Sequence, residues 1–388
     1  MSIQGELSIS LIRNAAGLES MITSSRPMHA TQLFEGKTIE QVLQMLPLLF
    51  NICANAQAVT AVRAIESALK LPSNELIESQ REALVAIESL REQSLQVLMQ
   101  WPSFIGESLN NGALSDIVQS LNNLILSFEP KQLLRCGADK VNPISDKQKL
   151  LWVHCQAQLN TIIFNSDHEV WHQNNLDKIE QWAQTPQTLA ARFINWLNQQ
   201  SWKDAGRSDI KLLPEINDGE LVLRMKEGQQ QFTAQPDWKT SCFEASWFNS
   251  QQDHPVIKQL YNRAGNGIYT RSIARLMEIA TLMNTLQDVF HSDTLIATNA
   301  SSIAGLANTN AARGRLSHYV ELQNRRVTQF SILAPTEWNF HPQGVAAEGL
   351  RQLQQDDLST LQLQADLLIH AIDPCVGYRL HISTGVMH

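Results

Sequence analysis

The chain has 388 residues, of which 43% are hydrophobic and 18% charged, and its formal net charge is −8 at neutral pH. This acidic balance, without any cluster of lysine and arginine beyond pairs such as Arg325-Arg326, argues against a nucleic-acid-binding surface. No apolar run approaches the roughly 20 residues that a transmembrane helix needs, and the first eleven residues lack the basic segment that opens a secretory signal. We therefore expect a cytoplasmic globular protein that is not inserted in a membrane.

The cysteines are odd in number and widely spaced, and no two of them form a Cys-x-x-Cys pair. They are Cys53, Cys136, Cys155, Cys242 and Cys375. This pattern argues against a disulfide framework and against a local zinc or iron–sulfur cage. Any metal ligands must therefore come from segments that are remote in sequence.

The amino-terminal region predicts a β-hairpin followed by a long, interrupted helix. Apolar residues alternate with polar ones over residues 2–23, around a turn at residues 14–17, which is typical of a hairpin. Residues 38–41 then carry the capping-box pattern Thr-x-x-Gln, which opens a helix. The apolar stripe of this helix runs on to Cys53, and we expect Pro47 to kink or split it.

The central region predicts four amphipathic helices and then a change of character. The helical stretches are residues 74–101, 114–126, 146–164 and 176–199. Residues 202–253 contain short apolar alternations, such as residues 221–225, together with turn residues. We interpret them as a strand-containing insertion or lobe within a single domain of residues 1–388.

Residues 255–333 predict a helix, a loop and a second hairpin. Residues 255–289 have one apolar helical face, and residues 298–312 are rich in alanine, asparagine and serine, which indicates a loop. Residues 319–333 predict a hairpin that turns at residues 323–325. The patterns of the whole chain indicate an α+β, mainly helical fold, a helical bundle with small β-hairpins.

The last predicted helix, residues 357–370, should break at Asp373, because Pro374 cannot continue a helix and disfavours the helical conformation of the residue before it. Cys375 and His381 are then expected on a turn beside this helix. By residue type alone, a lone cysteine such as Cys375 is usually a small buried apolar side chain.

Four spaced segments resemble the signatures of nickel–iron hydrogenase large subunits. Residues 373–381 begin Asp-Pro-Cys and end in His, and they resemble the carboxyl-terminal signature Asp-Pro-Cys-x-x-Cys-x-x-His. Residues 312–321 and 333–342 resemble the Pro-Arg-Gly-x-Leu-x-His and Pro-Thr-x-Trp-Asn segments. Residues 34–37 and 51–53 resemble the amino-terminal Leu-x-Gly-Arg … Arg-x-Cys-x-x-Cys region. The resemblance covers nearly the whole chain and implies a large-subunit-like helical bundle.

The same resemblance shows which metal ligands are missing. In the family, two cysteine pairs hold nickel and iron, whereas here each pair keeps only its first member, Cys53 or Cys375, and Ala56 and Tyr378 occupy the second positions. Two thiolates cannot hold and bridge two metals as four do. The family's amino-terminal glutamate, a proton relay, falls on Gln4, which cannot ionise. Hydrogenase activity is therefore not expected.

A family magnesium site is also incomplete. His381 matches one of its ligands, but the matching carboxylate falls near Thr31, with Glu35 as an alternative. One histidine without its carboxylate is a poor site for a hard cation. His381 is therefore expected only as an outer or vestigial metal residue.

Two further positions imply a pocket for diatomic ligands. By the resemblance, Arg313 lies over the metal pocket, and the hydroxyl of Thr336 binds a cyanide on iron. A guanidinium and a hydroxyl donor suit the partly anionic nitrogen of metal-bound cyanide in a dry pocket. Judged by residue type alone, Arg313 would instead form a surface ion pair.

A large-subunit-like chain with half of the cysteines resembles the HupK/HoxV-type hydrogenase assembly proteins. The resemblance implies a non-catalytic scaffold that transiently holds an Fe(CN)2(CO) fragment, without nickel, through Cys53 and Cys375. The fragment would then pass to the hydrogenase large subunit, and the large subunit and hydrogenase maturation chaperones are the implied partners.

Two alternatives stay open. One is a metal-free paralogue that acts only as a docking or chaperone-like interaction protein. The other is an enzyme, either a hydrogenase with altered ligands or a thiol enzyme that uses Cys375 with His381. The scaffold and the interaction protein differ in whether Cys53 and Cys375 meet in space.

Overall fold

The computed structural model describes residues 5–27, 30–227, 229–292, 294–296, 301, 303–353 and 357–385. The strands of this part of the chain are β1 (Leu7–Asn14), β2 (Gly17–Ser24), β3 (Leu306–Ala311), β4 (Gly314–Gln323), β5 (Arg326–Leu333) and β6 (Tyr378–Thr384). The helices are α1 (Ile39–Leu49), α2 (Ala54–Ala68), α3 (Glu75–Leu95), α4 (Trp101–Phe104), α5 (Asn111–Ser127), α6 (Pro130–Leu133), α7 (Asp146–Leu159), α8 (His168–His172), α9 (Leu176–Ala183), α10 (Leu189–Gln199), α11 (Asp218–Glu227), α12 (Gln229–Ala234), α13 (Phe248–Gln251), α14 (Pro255–Ala264), α15 (Ile268–His291), α16 (Pro335–Asn339), α17 (Val345–Arg351) and α18 (Leu358–Ile372). Helices dominate and the sheets are small, so the predicted mainly helical α+β class is confirmed. Across the same residues, no helix combines the length and apolar character needed to cross a bilayer.

The first sheet joins the two ends of the described chain. The predicted amino-terminal hairpin is confirmed, since β1 pairs antiparallel with β2. The other edge of β1 pairs in parallel with β6, so that Leu7 lies opposite Tyr378. Leu7, Ile9 and Leu11 point into the core and are at most 3% exposed. Burying such side chains contributes roughly 1.5–3 kcal/mol each, which fixes the strand's register.

The position of His381 differs from the prediction. It lies in β6 opposite Ser10 and is exposed, whereas we expected it on a turn beside Cys375. The open edge of β1 explains the difference, because pairing with it satisfies the backbone groups of the residues that follow Gly377.

The second sheet has the order β3-β4-β5, and all its pairs are antiparallel. The predicted hairpin over residues 319–333 is confirmed as β4 and β5. The predicted loop over residues 298–312 is wrong for residues 306–311, which form β3, while residues 298–300 and 302 lie outside the described residues. The sequence Leu-Ala-Asn-Thr-Asn-Ala has little intrinsic strand preference, so pairing with β4 determines its conformation.

Residues 202–253 differ from the strand-containing lobe that we predicted. Residues 221–225 lie in α11, and the only ladder contacts of the described residues in this region are isolated bridges. The buried side chains Leu221, Val222 and Met225 follow helical spacing, and Asn217 accepts hydrogen bonds from two backbone N–H groups at the helix start. The region packs on the second sheet through a cluster that includes Tyr319 and Leu333.

The other helix predictions hold, with additional breaks. The capping box at Thr38 is present, and α1 ends soon after Pro47, at Leu49. Cys53 therefore occupies the N-cap position of α2, and the prediction that it lies on the apolar stripe of the preceding helix is wrong. Residues 176–199 and 255–289 each form two helices, with the breaks at residues 184–188 and 265–267.

The helical core surrounds α15, which is buried along most of its length. A smaller apolar cluster lies between α2, α3 and the second sheet, and Cys53 packs against it. The members of this cluster are Ala56, Val59, Val85, Ala311, Leu316 and Ala334. The cluster brings the start of α2 to the turn between β3 and β4.

Candidate metal-binding cavity

Cys53 and Cys375, from opposite ends of the chain, line one cavity of about 30 Å³. Arg26, after β2, and Arg313, in the turn between β3 and β4, also line it. Most of the remaining wall is apolar and includes Phe50, Ile52, Ala311, Leu316, Ile332 and Pro335. The fold therefore brings two thiols and two guanidinium groups into one largely apolar enclosure. The prediction that the two sulfurs lie close enough to share a metal stays a prediction.

Cys375 is held by the break that ends α18. Asp373 has the left-handed φ of 72° that stops the helix, which confirms the predicted position of the break. Its buried carboxylate accepts a hydrogen bond from Gln96 and lies 3.4–3.5 Å from guanidinium nitrogens of Arg313 and Arg275. These contacts tie Asp373, and with it Cys375 two residues later, to Gln96, to Arg275 of α15 and to the turn that carries Arg313.

Two further contacts fix Cys375 itself. Its backbone N–H donates to the hydroxyl oxygen of Thr336 at 3.1 Å, and Nη2 of Arg26 lies 3.0 Å from its Sγ. Nη1 of Arg26 donates to Glu337 at 2.6 Å. Burial alone would lower the pKa of Arg26. The neighbouring Cys375 and Glu337 raise that pKa, so this guanidinium stays charged.

Cys53 stands at the start of α2 and does not cap it. Glu88 of α3 takes over the capping role, accepting hydrogen bonds from the backbone N–H groups of Asn55 and Ala56 at 2.8 and 3.0 Å. The thiol is thus left for the cavity, where Gln57 Nε2 lies 3.8 Å from Sγ. Burial is the main cause that raises the pKa of Cys53, to about 12. Without a metal, this thiol is protonated at neutral pH.

Arg313 is placed by the glycine that follows it. A Cβ on Gly314 would lie 1.8 Å from the carbonyl oxygen of Ala245, so only glycine allows the turn to approach that segment. The Ala245 segment is itself fixed, because the neighbouring Glu244 forms a fully buried, two-pronged ion pair with Arg271. The Arg-Gly dipeptide of the motif therefore has a steric reason in this fold.

The guanidinium of Arg313 is buried and paired. Nη1 donates to Glu92 at 3.1 Å, and Nε lies 3.4 Å from Asp373. These carboxylates raise the pKa of Arg313 despite its burial, so it carries a positive charge in the cavity wall. A surface ion pair, the interpretation from residue type alone, is wrong because the side chain is only 7% exposed.

The remaining predicted site residues divide into one near the cavity and two away from it. Thr336 is 2% exposed and touches the backbone of Cys375, but it does not line the cavity. Its oxygen accepts from Cys375, which leaves its hydroxyl proton to donate elsewhere. His381 and Glu35 are exposed and do not line the cavity. Gln4, the predicted break in a proton relay, lies outside the described residues.

Sequence reasoning missed several polar residues of the site, among them Glu337, Glu88 and Arg26. Glu337 directly follows Thr336 in the motif segment, so proximity to that motif was a usable signal. Glu88 and Arg26 carry no such signal, because their roles depend on contacts with residues 33 and 349 positions away. The ranges described above contain no group of three or more His, Cys, Asp or Glu side chains arranged to hold a metal.

His318 supports the cavity wall from behind. Its Nε2 lies 2.9 Å from Oε1 of Gln57, the residue that also approaches Cys53. The ring is fully buried, and burial lowers the pKa of His318 to about 3. The histidine is therefore neutral at physiological pH, with Nε2 as the proton donor to the amide oxygen.

Acid should destabilise the protein through His318. In the unfolded chain the imidazole has its ordinary pKa of about 6.5, so between pH 6.5 and 3 the unfolded state binds one proton more than the folded state. The free energy of unfolding then falls as the pH drops through this window, and above pH 6.5 this group has no effect on it. His318→Gln should lower stability at pH 7.5 but reduce the further loss between pH 7.5 and pH 5. Urea unfolding at both pH values measures the difference, and an equal loss in the two proteins would contradict the assignment.

The other three cysteines should be dispensable for metal binding. Cys155 is 1% exposed in the helical core, Cys136 is partly buried, and the Sγ of Cys242 lies 3.2 Å from His341. None of them lines the cavity. Serine at any of these positions should leave iron content unchanged, and Cys155→Ser should cost about 1–3 kcal/mol of stability, since a hydroxyl is buried there. Iron analysis of the folded single variants tests this, and a variant that folds but lacks iron would show that the site is misplaced.

Comparison with known proteins shows that this chain is similar to hydrogenases and to hydrogenase expression/formation proteins. A family model described as nickel-dependent hydrogenase matches residues 251–381. The hydrogenase expression/formation protein HoxV of Cupriavidus necator is 26% identical over 94% of this chain and 93% of its own length. HupK of Bradyrhizobium diazoefficiens, also named a hydrogenase expression/formation protein, is 24% identical over 98% of this chain and 97% of its own. The resemblance to HupK/HoxV-type hydrogenase assembly proteins that the motifs predict is confirmed.

A solved structure supports the fold. The Ni-Fe-Se hydrogenase from D. vulgaris Hildenborough in the reduced state matches 93% of this chain and 94% of its own chain, with a TM-score of 0.60 at 14% identity. The nickel–iron hydrogenase large-subunit-like architecture predicted from the motifs is confirmed. At this identity the likeness concerns the fold alone.

Proposed function

We propose that this chain is a non-catalytic scaffold in nickel–iron hydrogenase maturation, which holds an Fe(CN)2(CO) fragment transiently and passes it to the hydrogenase large subunit. The meeting of Cys53 and Cys375 with two guanidinium groups in one largely apolar cavity supports this proposal most directly. The near-full-length relatives are named as hydrogenase expression/formation proteins, which supports the maturation role.

The donor set suits this cargo. The cavity supplies two soft thiol ligands and no third metal-binding side chain from the described residues. An iron that already carries two cyanides and a carbonyl needs few ligands from the protein. Arg313 would donate to a cyanide nitrogen, and the apolar wall would keep water away from it. Binding releases the thiol protons, since thiolates are the ligands.

The positions of the two missing cysteines support a non-catalytic role. Ala56 is fully buried in the apolar cluster, and its N–H is bound to Glu88. Tyr378 begins β6 and donates its hydroxyl to Asp366 at 2.9 Å. Both positions thus have structural functions in place of a bridging thiolate, and this is why we propose a scaffold without nickel.

Infrared spectroscopy tests the proposal. The full chain, purified anaerobically from cells that make the hydrogenase maturation machinery, should show cyanide and carbonyl stretches together with iron. When this loaded protein is mixed with the hydrogenase large subunit, the iron fragment and its infrared bands should pass to the large subunit. Maturation chaperones of the cytoplasm are the further partners that we propose. Protein that restores maturation but carries neither iron nor these stretches would instead identify a docking or chaperone-like interaction protein.

A further inference from the structure

Arg26 occupies a position that the proposed function does not yet use. It lines the cavity and touches the sulfur of Cys375, whereas Glu337, its carboxylate partner, does not line the cavity. The carboxylate therefore lies behind the guanidinium, and the positive end of the pair faces the thiols. Arg26 and Glu337 are 19% and 12% exposed, so solvent screens this charge only in part.

The segment that carries Arg26 is closely packed. A Cβ added to Gly5, whose φ is +70°, would lie 2.5 Å from the Cα and N of Arg26. The backbone N–H of Arg26 also donates to the hydroxyl of Ser24 at 3.2 Å. The guanidinium is therefore presented by a fixed backbone and held at its tip by Glu337 and Cys375.

The charge that loading adds to the cavity depends on what is loaded. When a bare Zn²⁺ replaces two thiol protons, which pass to water, the dithiolate zinc unit is neutral, as the two thiols were. Iron(II) with two cyanides and one carbonyl is already neutral, so replacing the same two protons leaves a unit of charge −2. A fixed positive charge beside the sulfur therefore stabilises the second product and has little net effect on the first.

We propose that Arg26 selects the cargo by its charge, so that the cavity takes a cyanide-bearing, anionic iron complex in preference to a bare divalent cation. This inference rests on the proposed function. It lets that site favour the iron complex over zinc, which two soft thiolates also bind, by strengthening binding of the iron complex alone.

The test compares two probes on the full chain under anaerobic conditions. One probe is Zn²⁺, and the other is a synthetic iron(II) dicyanide carbonyl complex whose remaining ligands are labile. Arg26→Gln should weaken the iron complex at least about tenfold and change zinc affinity by less than about threefold. Arg26→Lys should recover most of the loss, since it keeps the charge. Arg379→Gln, at an exposed arginine paired with Glu6, is the matched control and should behave as wild type.

The outcomes separate this inference from the function on which it rests. Equal weakening of both probes by Arg26→Gln would mean that Arg26 only positions Cys375, and this would overturn charge selection. Unchanged binding of both probes by a folded Arg26→Gln protein would overturn it as well. If the wild-type chain takes zinc but no iron complex, the proposed function fails, and this inference fails with it.

Discussion

Replacing Cys53 or Cys375 by alanine should abolish binding of the iron fragment. In the proposed site each sulfur is one of the two thiol ligands that the described residues supply, and structural metal sites with four ligands bind with about 10–16 kcal/mol. The loss of one ligand therefore corresponds to roughly a hundredfold or more in affinity. Iron content and the intensity of the cyanide stretch, both per mole of protein, measure the effect. Cys242→Ala is the matched control, because its thiol lies outside the cavity.

The two cysteine variants should also lose iron and cyanide-stretch intensity to the same extent. If the sulfurs share one metal, the double variant Cys53→Ala/Cys375→Ala should be no worse than either single variant. Full iron occupancy in one single variant, with loss in the other, would mean that a single thiol holds the cargo. Wild-type occupancy in both would remove the cavity as the site.

Arg313→Leu should weaken binding of the fragment by about tenfold to a hundredfold, because a buried charge-assisted hydrogen bond contributes roughly 1.5–3 kcal/mol. Thr336→Val should do less, since a neutral donor contributes about 1 kcal/mol. Cyanide-stretch intensity and frequency, beside restoration of maturation, provide the measurement. The frequency matters because loss of a donor to the cyanide nitrogen shifts the stretch, whereas a purely structural defect only lowers its intensity.

Stability controls are needed for Arg313→Leu. The change leaves Glu92 without the hydrogen bond from Nη1 and removes one of the two arginines next to Asp373, and an uncompensated buried charge costs about 3–5 kcal/mol. Arg313→Lys keeps the charge, and Thr336→Ser keeps the hydroxyl, so both should retain more binding than their apolar counterparts. If all four variants, at Cys53, Cys375, Arg313 and Thr336, fold and behave as wild type, the interaction protein is the surviving account.

Local rules predicted the elements whose determinants are close in sequence. The capping box at Thr38 and the helix break at Asp373 depend on residues within four positions, and both are present. By contrast, residues 306–311 have a weak intrinsic preference for a strand. They form β3 because they pair with β4, the next strand of the sheet. Residues 221–225 alternate in polarity over too short a span to distinguish a strand from a helix. Asn217 favours the helix, because its side chain accepts a hydrogen bond from a backbone N–H at the helix start.

The candidate site follows the same division. The motifs placed Cys53, Arg313 and Cys375, which now line one cavity, because spaced signatures carry information about distant contacts. Arg26 and Glu88 were not predicted, since nothing in their own sequence neighbourhoods indicates a partner so far away. The predicted position of His381 was wrong because the residues after Gly377 pair with the open edge of β1. No local sequence pattern indicates this pairing.

The parallel pairing of β1 with β6 has a consequence for biosynthesis. Leu7 emerges from the ribosome early, but its partner Tyr378 is among the last residues that the structure describes. Cys375 precedes β6 by only a few residues, so a nascent chain that already exposes Cys53 has neither the second thiol nor the strand that closes the sheet. If the proposed scaffold binds iron through both thiols, loading has to wait until Cys375 and β6 have been translated, and chains stalled before residue 384 should remain empty.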